Sequence, residues 1–173
     1  MTTWVLLAGL PATGKSTLAR ALAKHLKDAA ILDKDRVRAA LFPGSMTDYA
    51  SEQDELCMRA MIEAAAYMTQ HRQTAFIFFD GRTFSRSAQI DAVIHAATTA
   101  GATWRILHLT CSDTIAEARL RTTDADHPAR NRDMELYRRV QAAFEPILYP
   151  KLNLDTTPGV ETLLSRATDY LRA

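Results

Sequence analysis

The chain has only two cysteines, Cys57 and Cys111, far apart in segments that read as a helix and the end of a strand. Neither a metal knuckle nor a disulfide framework fits that placement, and reduced thiols are expected. Five histidines (His25, His71, His95, His108 and His127) show no paired ligand spacing, so no His-based metal centre is expected. No charged leader precedes a long apolar stretch, and no uninterrupted apolar run approaches the roughly 18 residues of a membrane span. A soluble, cytoplasmic protein without an export signal is the expectation. The formal net charge of +1 and pI near 7.8 provide no global basic field, which argues against a long nucleic acid as the main partner. Repeats, low-complexity tracts and linkers are also missing. A length of 173 residues then suits a single domain over 1–173 with a real core and no second substrate domain.

What is present is concentrated in one segment. Residues 9 to 16 read Gly-Leu-Pro-Ala-Thr-Gly-Lys-Ser, a complete G-x-x-x-x-G-K-[ST] loop. It begins where the apolar run Trp4 to Ala8 ends and leads into the helical pattern Thr17 to Lys24. Composition alone produces such a pattern in roughly a few chains per thousand of this length, and the strand before and helix after make chance less plausible still. Wrapping a triphosphate requires backbone N–H groups of Ala12, Thr13 and their neighbours to approach its oxygens, and Gly9 and Gly14 leave room for this. Lys15 supplies a point charge for the β and γ phosphates, Ser16 a hydroxyl for Mg²⁺, and Thr17 opens a helix whose N-terminus faces the anion. ATP with Mg²⁺ is the expected ligand.

Short apolar runs at Trp4–Ala8, Ala29–Leu32, Ala75–Phe79, Arg105–Leu109 and Lys151–Leu154 alternate with helical patterns beginning near Lys15, Lys34, Ser51, Ser85, Ser112, Arg132 and Gly159. Strands alternating with helices mean a parallel sheet in an α/β fold. Ser51, Ser85 and Ser112 suit N-cap positions. Met58, Met61 and Met68, with Leu56, Ala64 and Ala65, form a helical stripe expected in the core. The charged, Pro128-containing stretch from Thr122 to Asp133 interrupts two helical patterns and reads as a small lid over the phosphate site.

Two further segments sit where a doubly wound sheet binds ligands, at the C-terminal ends of its strands. Asp33-Lys34-Asp35-Arg36-Val37-Arg38 follows the second run. A phosphoryl acceptor needs a carboxylate near its hydroxyl and a cation near its polar groups, and Asp35 and Arg38 fit, although either Asp33 or Asp35 could instead cap the helix. Asp80-Gly81-Arg82-Thr83 ends the third run. Asp80 could organise Mg²⁺, or with Arg82 it could hold the acceptor; the residues alone leave both open. Arginines 119, 121, 130, 132, 138 and 139 crowd the lid among interleaved acids. One or two of them are expected to act on phosphates, with Arg119 and Arg121 placed to reach adenine and phosphate, and Arg130 and Arg132 in or beside the lid.

The pattern resembles the P-loop kinases that phosphorylate hydroxyl groups, among them polynucleotide 5′-hydroxyl kinase, chloramphenicol phosphotransferase, zeta toxins and gluconate kinase. The resemblance rests on Gly9 to Thr17, on Asp35 with Arg38, on Asp80 to Thr83, and on the arginine-rich lid followed by Phe144-Glu145-Pro146. It implies a three-layer P-loop NTPase fold with a five-stranded parallel sheet ordered 2-3-1-4-5, Asp35 as general base, and Thr156-Thr157-Pro158, with Thr157 among the nucleotide-binding residues, beside adenine. The expected activity is transfer of the γ-phosphoryl group of Mg·ATP to a hydroxyl of a small polar acceptor. Polynucleotide 5′-hydroxyl kinase activity is the nearer alternative, and an acceptor-free nucleotide-driven switch the alternative of another class. The lid lacks the glycine and tyrosine spacing of adenylate kinase, which argues against a nucleoside monophosphate acceptor.

Overall fold

A computed structural model describes residues 1–71, 74–122 and 133–173. Its strands are β1 (Thr3–Ala8), β2 (Ala29–Asp33), β3 (Phe76–Asp80), β4 (Thr103–Thr110) and β5 (Leu152–Asp155), and its helices are α1 (Lys15–His25), α2 (Lys34–Leu41), α3 (Ser51–His71), α4 (Ser87–Thr99), α5 (Asp113–Arg121), α6 (Met134–Ala142) and α7 (Leu164–Arg172). The strands form one sheet in the order β2-β3-β1-β4-β5, and every pairing is parallel. This is the three-layer P-loop arrangement.

The layers follow from the two-residue period of a strand. In β1, Trp4, Leu6 and Ala8 face one side and pack with Met58, Met61 and Ala65 of α3 and Ile90, Val93 and Ala97 of α4. Val5 and Leu7 face the other side, against Leu18, Ala19 and Leu22 of α1 and Ala167 and Leu171 of α7. From Trp4 to Ala8 every residue is fully buried. A central strand sealed on both faces must therefore read as a continuous apolar run, which is why it was visible.

The boundaries show which local signals were overridden. Ser112 caps α5 as expected, its hydroxyl accepting the Ile115 N–H at 3.4 Å. Ser85 does not cap α4, which starts at Ser87. Glu145, from the distant loop before β5, accepts the Ser87 N–H at 2.7 Å, and its own backbone N–H donates to the Ser85 carbonyl at 2.8 Å. Ser51 is the first residue of α3 and lies inside the helix. Asp133 caps α6 through the Leu136 N–H at 2.8 Å. In the methionine stripe Met58 and Met61 are buried, but Leu56 is 39% exposed. Most of the expected lid, including Arg130, Arg132, His127 and Pro128, lies outside the described residues.

One contact fixes the loop to the sheet. Gly9 has φ +140°, and a Cβ there would stand 2.2 Å from the Leu109 carbonyl oxygen of β4. Gly9→Ala is expected to cost about 2 kcal/mol or more in urea unfolding, from a clash that only backbone movement relieves. Gly101, at φ +75° with nothing within 4 Å of its Cβ position, is the control: Gly101→Ala should show only the left-handed penalty of about 1 kcal/mol. Equal losses at the two positions would rule out the steric argument.

Candidate active site

The loop between β1 and α1 has its positive charge stored against its own backbone. Lys15 Nζ donates to the Gly9 carbonyl at 2.9 Å and to the Leu10 carbonyl at 2.7 Å, which offsets the desolvation of an ammonium that is 7% exposed. Thr13 Oγ1 donates to the Leu10 carbonyl at 2.8 Å, tightening the turn, and Ala12 takes the left-handed φ of 61°. Gly14 occupies the α1 cap position at φ 85°, and Thr17 is exposed on the first turn.

The loop is braced from the far side of the sheet. Arg119 of α5 donates from Nη1 to the Ala12 carbonyl at 3.2 Å and to Thr156 Oγ1 at 3.0 Å, and from Nη2 to the Thr156 carbonyl at 2.8 Å. Thr156, fully buried after β5, donates to the Thr13 carbonyl at 2.9 Å. Arg119, expected from the sequence to reach adenine and phosphate, braces the loop's backbone through these contacts. Thr157 is exposed and accepts the Ser112 N–H at 3.3 Å; the buried neighbour Thr156 is the hydroxyl that touches the loop. Arg121 is not brought into the site. Its side chain is 76% exposed and paired with Glu117 one helical turn away, at 2.7 Å.

Asp80 ends β3 in register with Asp33, which ends β2. It is 2% exposed. Burial pushes its carboxyl pKa up, while hydrogen bonds from the Ser16 hydroxyl and the Gly81 N–H oppose that shift. Its Oδ1 is buried and has no hydrogen-bond partner. A buried carboxylate oxygen left open beside a serine hydroxyl suits a hard, oxygen-seeking cation such as Mg²⁺. No cluster of three or more His, Cys, Asp or Glu residues that could hold a metal occurs among the described residues, so Mg²⁺ held here would draw its remaining ligands from phosphate and water.

The two acids after β2 divide their work. Asp33 caps α2, accepting the N–H groups of Asp35 at 2.9 Å and Arg36 at 3.3 Å. The Asp35 carboxylate is held by Arg38 Nη1 at 3.0 Å. Arg38, 3% exposed, also pairs with Asp54 of α3 and lies 5.1 Å from the centroid of the Tyr49 ring. Arg82 pairs with Glu55 of α3. Lys34 Nζ meets Asp54 at 2.9 Å. Burial pulls the Lys34 pKa down to about 8; Asp35 opposes the shift, and repulsion from Arg38 and Arg82 adds to it.

These groups share one cavity of about 220 Å³, in which Lys15, Ser16 and Asp80 face Lys34, Asp35, Arg38 and Arg82. Asp54, Tyr49 and Gln89 complete that side, and Arg139 of α6 reaches it from above the loop. Sequence reasoning missed Lys34, Asp54 and Glu55. Asp54, an acid in the first turn of a long helix, is explained well enough by the helix dipole, and nothing local marks it as one that also lines the cavity. Among the described residues no helix is long and apolar enough to cross a membrane.

Comparison with known proteins places this geometry. No curated protein matches the chain. Among solved structures, a candidate kinase from Chloroflexus aurantiacus is similar with a TM-score of 0.76 at 20% identity, covering 98% of each chain. A sugar kinase from Janibacter sp. gives 0.71 at 18% identity, with 99% of this chain and 95% of that one covered. The APS kinase of Mycobacterium tuberculosis, solved with AMPPNP and APS, gives 0.73 at 15% identity over 99% and 98%. At these identities the likeness shows a shared fold. A family model described as "AAA domain" matches residues 5–147, which contain the loop, the brace from α5 and both acidic strand ends, and the chain belongs to that family.

Proposed function

We propose that the chain is an ATP-dependent kinase that transfers the γ-phosphoryl group to a hydroxyl of a small polar acceptor. The observation that carries this reading is that Asp35, held by Arg38, opens onto the same cavity as Lys15 and the Ser16–Asp80 pair. A switch that only hydrolyses nucleotide has no need of a polar, charged wall facing its phosphate loop across the cavity. The kinase names carried by the similar structures support the reading. The free thiols of Cys57 and Cys111 agree with a reducing, cytoplasmic setting.

The residues have separable tasks. Lys15 exchanges the Gly9 and Leu10 carbonyls for phosphate oxygens, and the braced loop offers backbone N–H groups beside it. Ser16 and Asp80 would hold Mg²⁺, which when bound neutralises phosphate charge and aligns the γ group. Arg38 and Arg82 orient the acceptor, and Gln89, whose buried Oε1 has no hydrogen-bond partner, can accept from an acceptor hydroxyl. As the acceptor oxygen bonds to the γ phosphorus, the bond from that phosphorus to the bridging oxygen of ADP breaks and its electron pair leaves with ADP. The hydroxyl proton passes to Asp35.

Lys15→Ala should weaken binding of a nonhydrolysable ATP analogue in calorimetry and lower turnover by orders of magnitude while leaving the unfolding midpoint nearly unchanged. Wild-type affinity together with wild-type turnover would rule out the loop as the nucleotide site.

The two carboxylates should fail differently. Asp35→Asn keeps its shape but loses the base, so Mg·ATP should bind nearly as before while transfer falls by about 10²-fold or more. Asp80→Asn should raise the Mg²⁺ concentration needed for half-maximal activity. Full transfer by Asp35→Asn, with transfer abolished in Asp80→Asn at unchanged Mg²⁺ and ATP binding, would exchange the two roles.

A further inference from the structure

The acceptor side of the cavity is built from three buried cations, and the carboxylates paired with them are less buried than they are, Asp35 by the least, with its side chain 14% exposed. Lys34, Arg38 and Arg82 are 7%, 3% and 6% exposed, and they converge from α2 and from the turn after β3. The carboxylates that answer them on α3 are wetter: the side chains of Asp54 and Glu55 are 29% and 57% exposed. Asp54 is also shared, since the same Oδ1 takes both the Lys34 ammonium and the Arg38 guanidinium. The Asp35 carboxylate accepts from Arg38 Nη1 at 3.0 Å, and the proposed reaction needs that carboxylate for the acceptor hydroxyl. Both Arg38 and Arg82 keep a buried Nε without a hydrogen-bond partner.

The three cations therefore sit at low dielectric with partners that solvent can reach. Burial lowers the Lys34 pKa, Asp35 opposes the shift, and Arg38 and Arg82 add to it. A neutral polyol would offer the two open Nε donors no charged partner. An anionic oxygen group could take both and share the load that a single Asp54 oxygen carries, as charge-assisted hydrogen bonds to planar guanidinium groups do.

We propose that the acceptor is a hydroxyl compound bearing an anionic oxygen group, seated by Lys34, Arg38 and Arg82, with Asp54 as the counter-ion that holds this seat in the ligand-free chain. This identifies the substrate class of the kinase reading and rests on it. Asp54 yields to the anion when the acceptor enters, and the acceptor hydroxyl is left facing Asp35.

The test uses matched pairs on the full chain with AMPPNP and Mg²⁺ present: glycerate or glycerol 3-phosphate against glycerol, and gluconate against glucose, followed by calorimetry and by ATP-dependent transfer. The anionic members should bind at least about tenfold more tightly than their neutral partners. Lys34→Met should remove most of that preference without changing AMPPNP affinity, and Asp54→Asn should tighten anion binding. Comparison of glycerate with glycerol 3-phosphate separates a carboxylate from a phosphate group. Equal or tighter binding of the neutral members, a preference untouched by Lys34→Met, or no binding of either member at millimolar concentration would overturn the seat; the wild-type comparison decides even where a variant does not fold. Anion preference without transfer to any bound member would reject the kinase reading and leave the seat standing, whereas equal transfer to neutral members would reject the seat and leave the kinase reading.

Discussion

The nucleotide end depends on how closely Gly9 approaches β4. With the Leu109 carbonyl where a Cβ would be and the Gly9 N–H donating to the Thr83 carbonyl at 3.0 Å, the loop leaves the sheet at one fixed point and angle. The rest of the loop is then held from outside itself: Ala12 by Arg119, and Thr13 by Thr156. Each of these contacts occupies a carbonyl; the Thr13 N–H closes the turn on the Leu10 carbonyl at 3.4 Å, while the Gly14 N–H lies on the opposite side of the peptide whose carbonyl Thr156 takes. A loop ordered in this way has already met the entropic cost of arranging its donors, and that pre-arrangement gives such sites their electrostatic advantage.

A different logic governs the opposite wall. Exposed ion pairs such as Arg121 with Glu117 contribute about 0–1 kcal/mol, and buried pairs cost about as much in desolvation as they return. The Lys34–Asp54–Arg38 cluster is therefore poorly explained as a stabilising device. A stability-driven sequence would place apolar side chains where α2 and α3 meet, as the same helix does two turns later with Met61 and Ala65. The polar cluster persists only at the end of α3 that faces the cavity. Function explains that boundary better than stability does.

Legibility in the sequence tracks how local each physical requirement is. The phosphate loop was readable because each of its letters answers to the backbone of the same eight residues. Asp35 and Arg38 were readable as chemistry at a strand end, but which acid capped α2 became clear only from the bonds that Asp33 accepts from Asp35 and Arg36. Glu145 as the cap of α4 was not readable, since its partner Ser87 lies 58 positions away. Thr156 and Thr157 are adjacent hydroxyls after a strand, and only the packing of β5 against the loop decides which one turns inward. Strand order was not in the spacing at all; it came with the family resemblance, and the sheet agrees with it.

The positions of the acids also limit how far their roles can be exchanged. Asp33 and Asp80 are register neighbours at the ends of adjacent strands, so two full charges there would repel at low dielectric. The fold resolves this by giving Asp33 to the α2 N-terminus, where backbone N–H groups and the helix dipole accommodate its charge. Asp80 is left buried beside Ser16, with its pKa raised and one oxygen open. A carboxyl in that state favours a cation as partner, because binding one relieves both the desolvation and the repulsion from Asp33. Asp35 stands two residues beyond the crowded pair, against Arg38 and lining the same cavity. Exchanging the two proposed roles would ask Asp80, buried and raised in pKa, to serve as the base, and would set a divalent ion at Asp35 against a buried guanidinium.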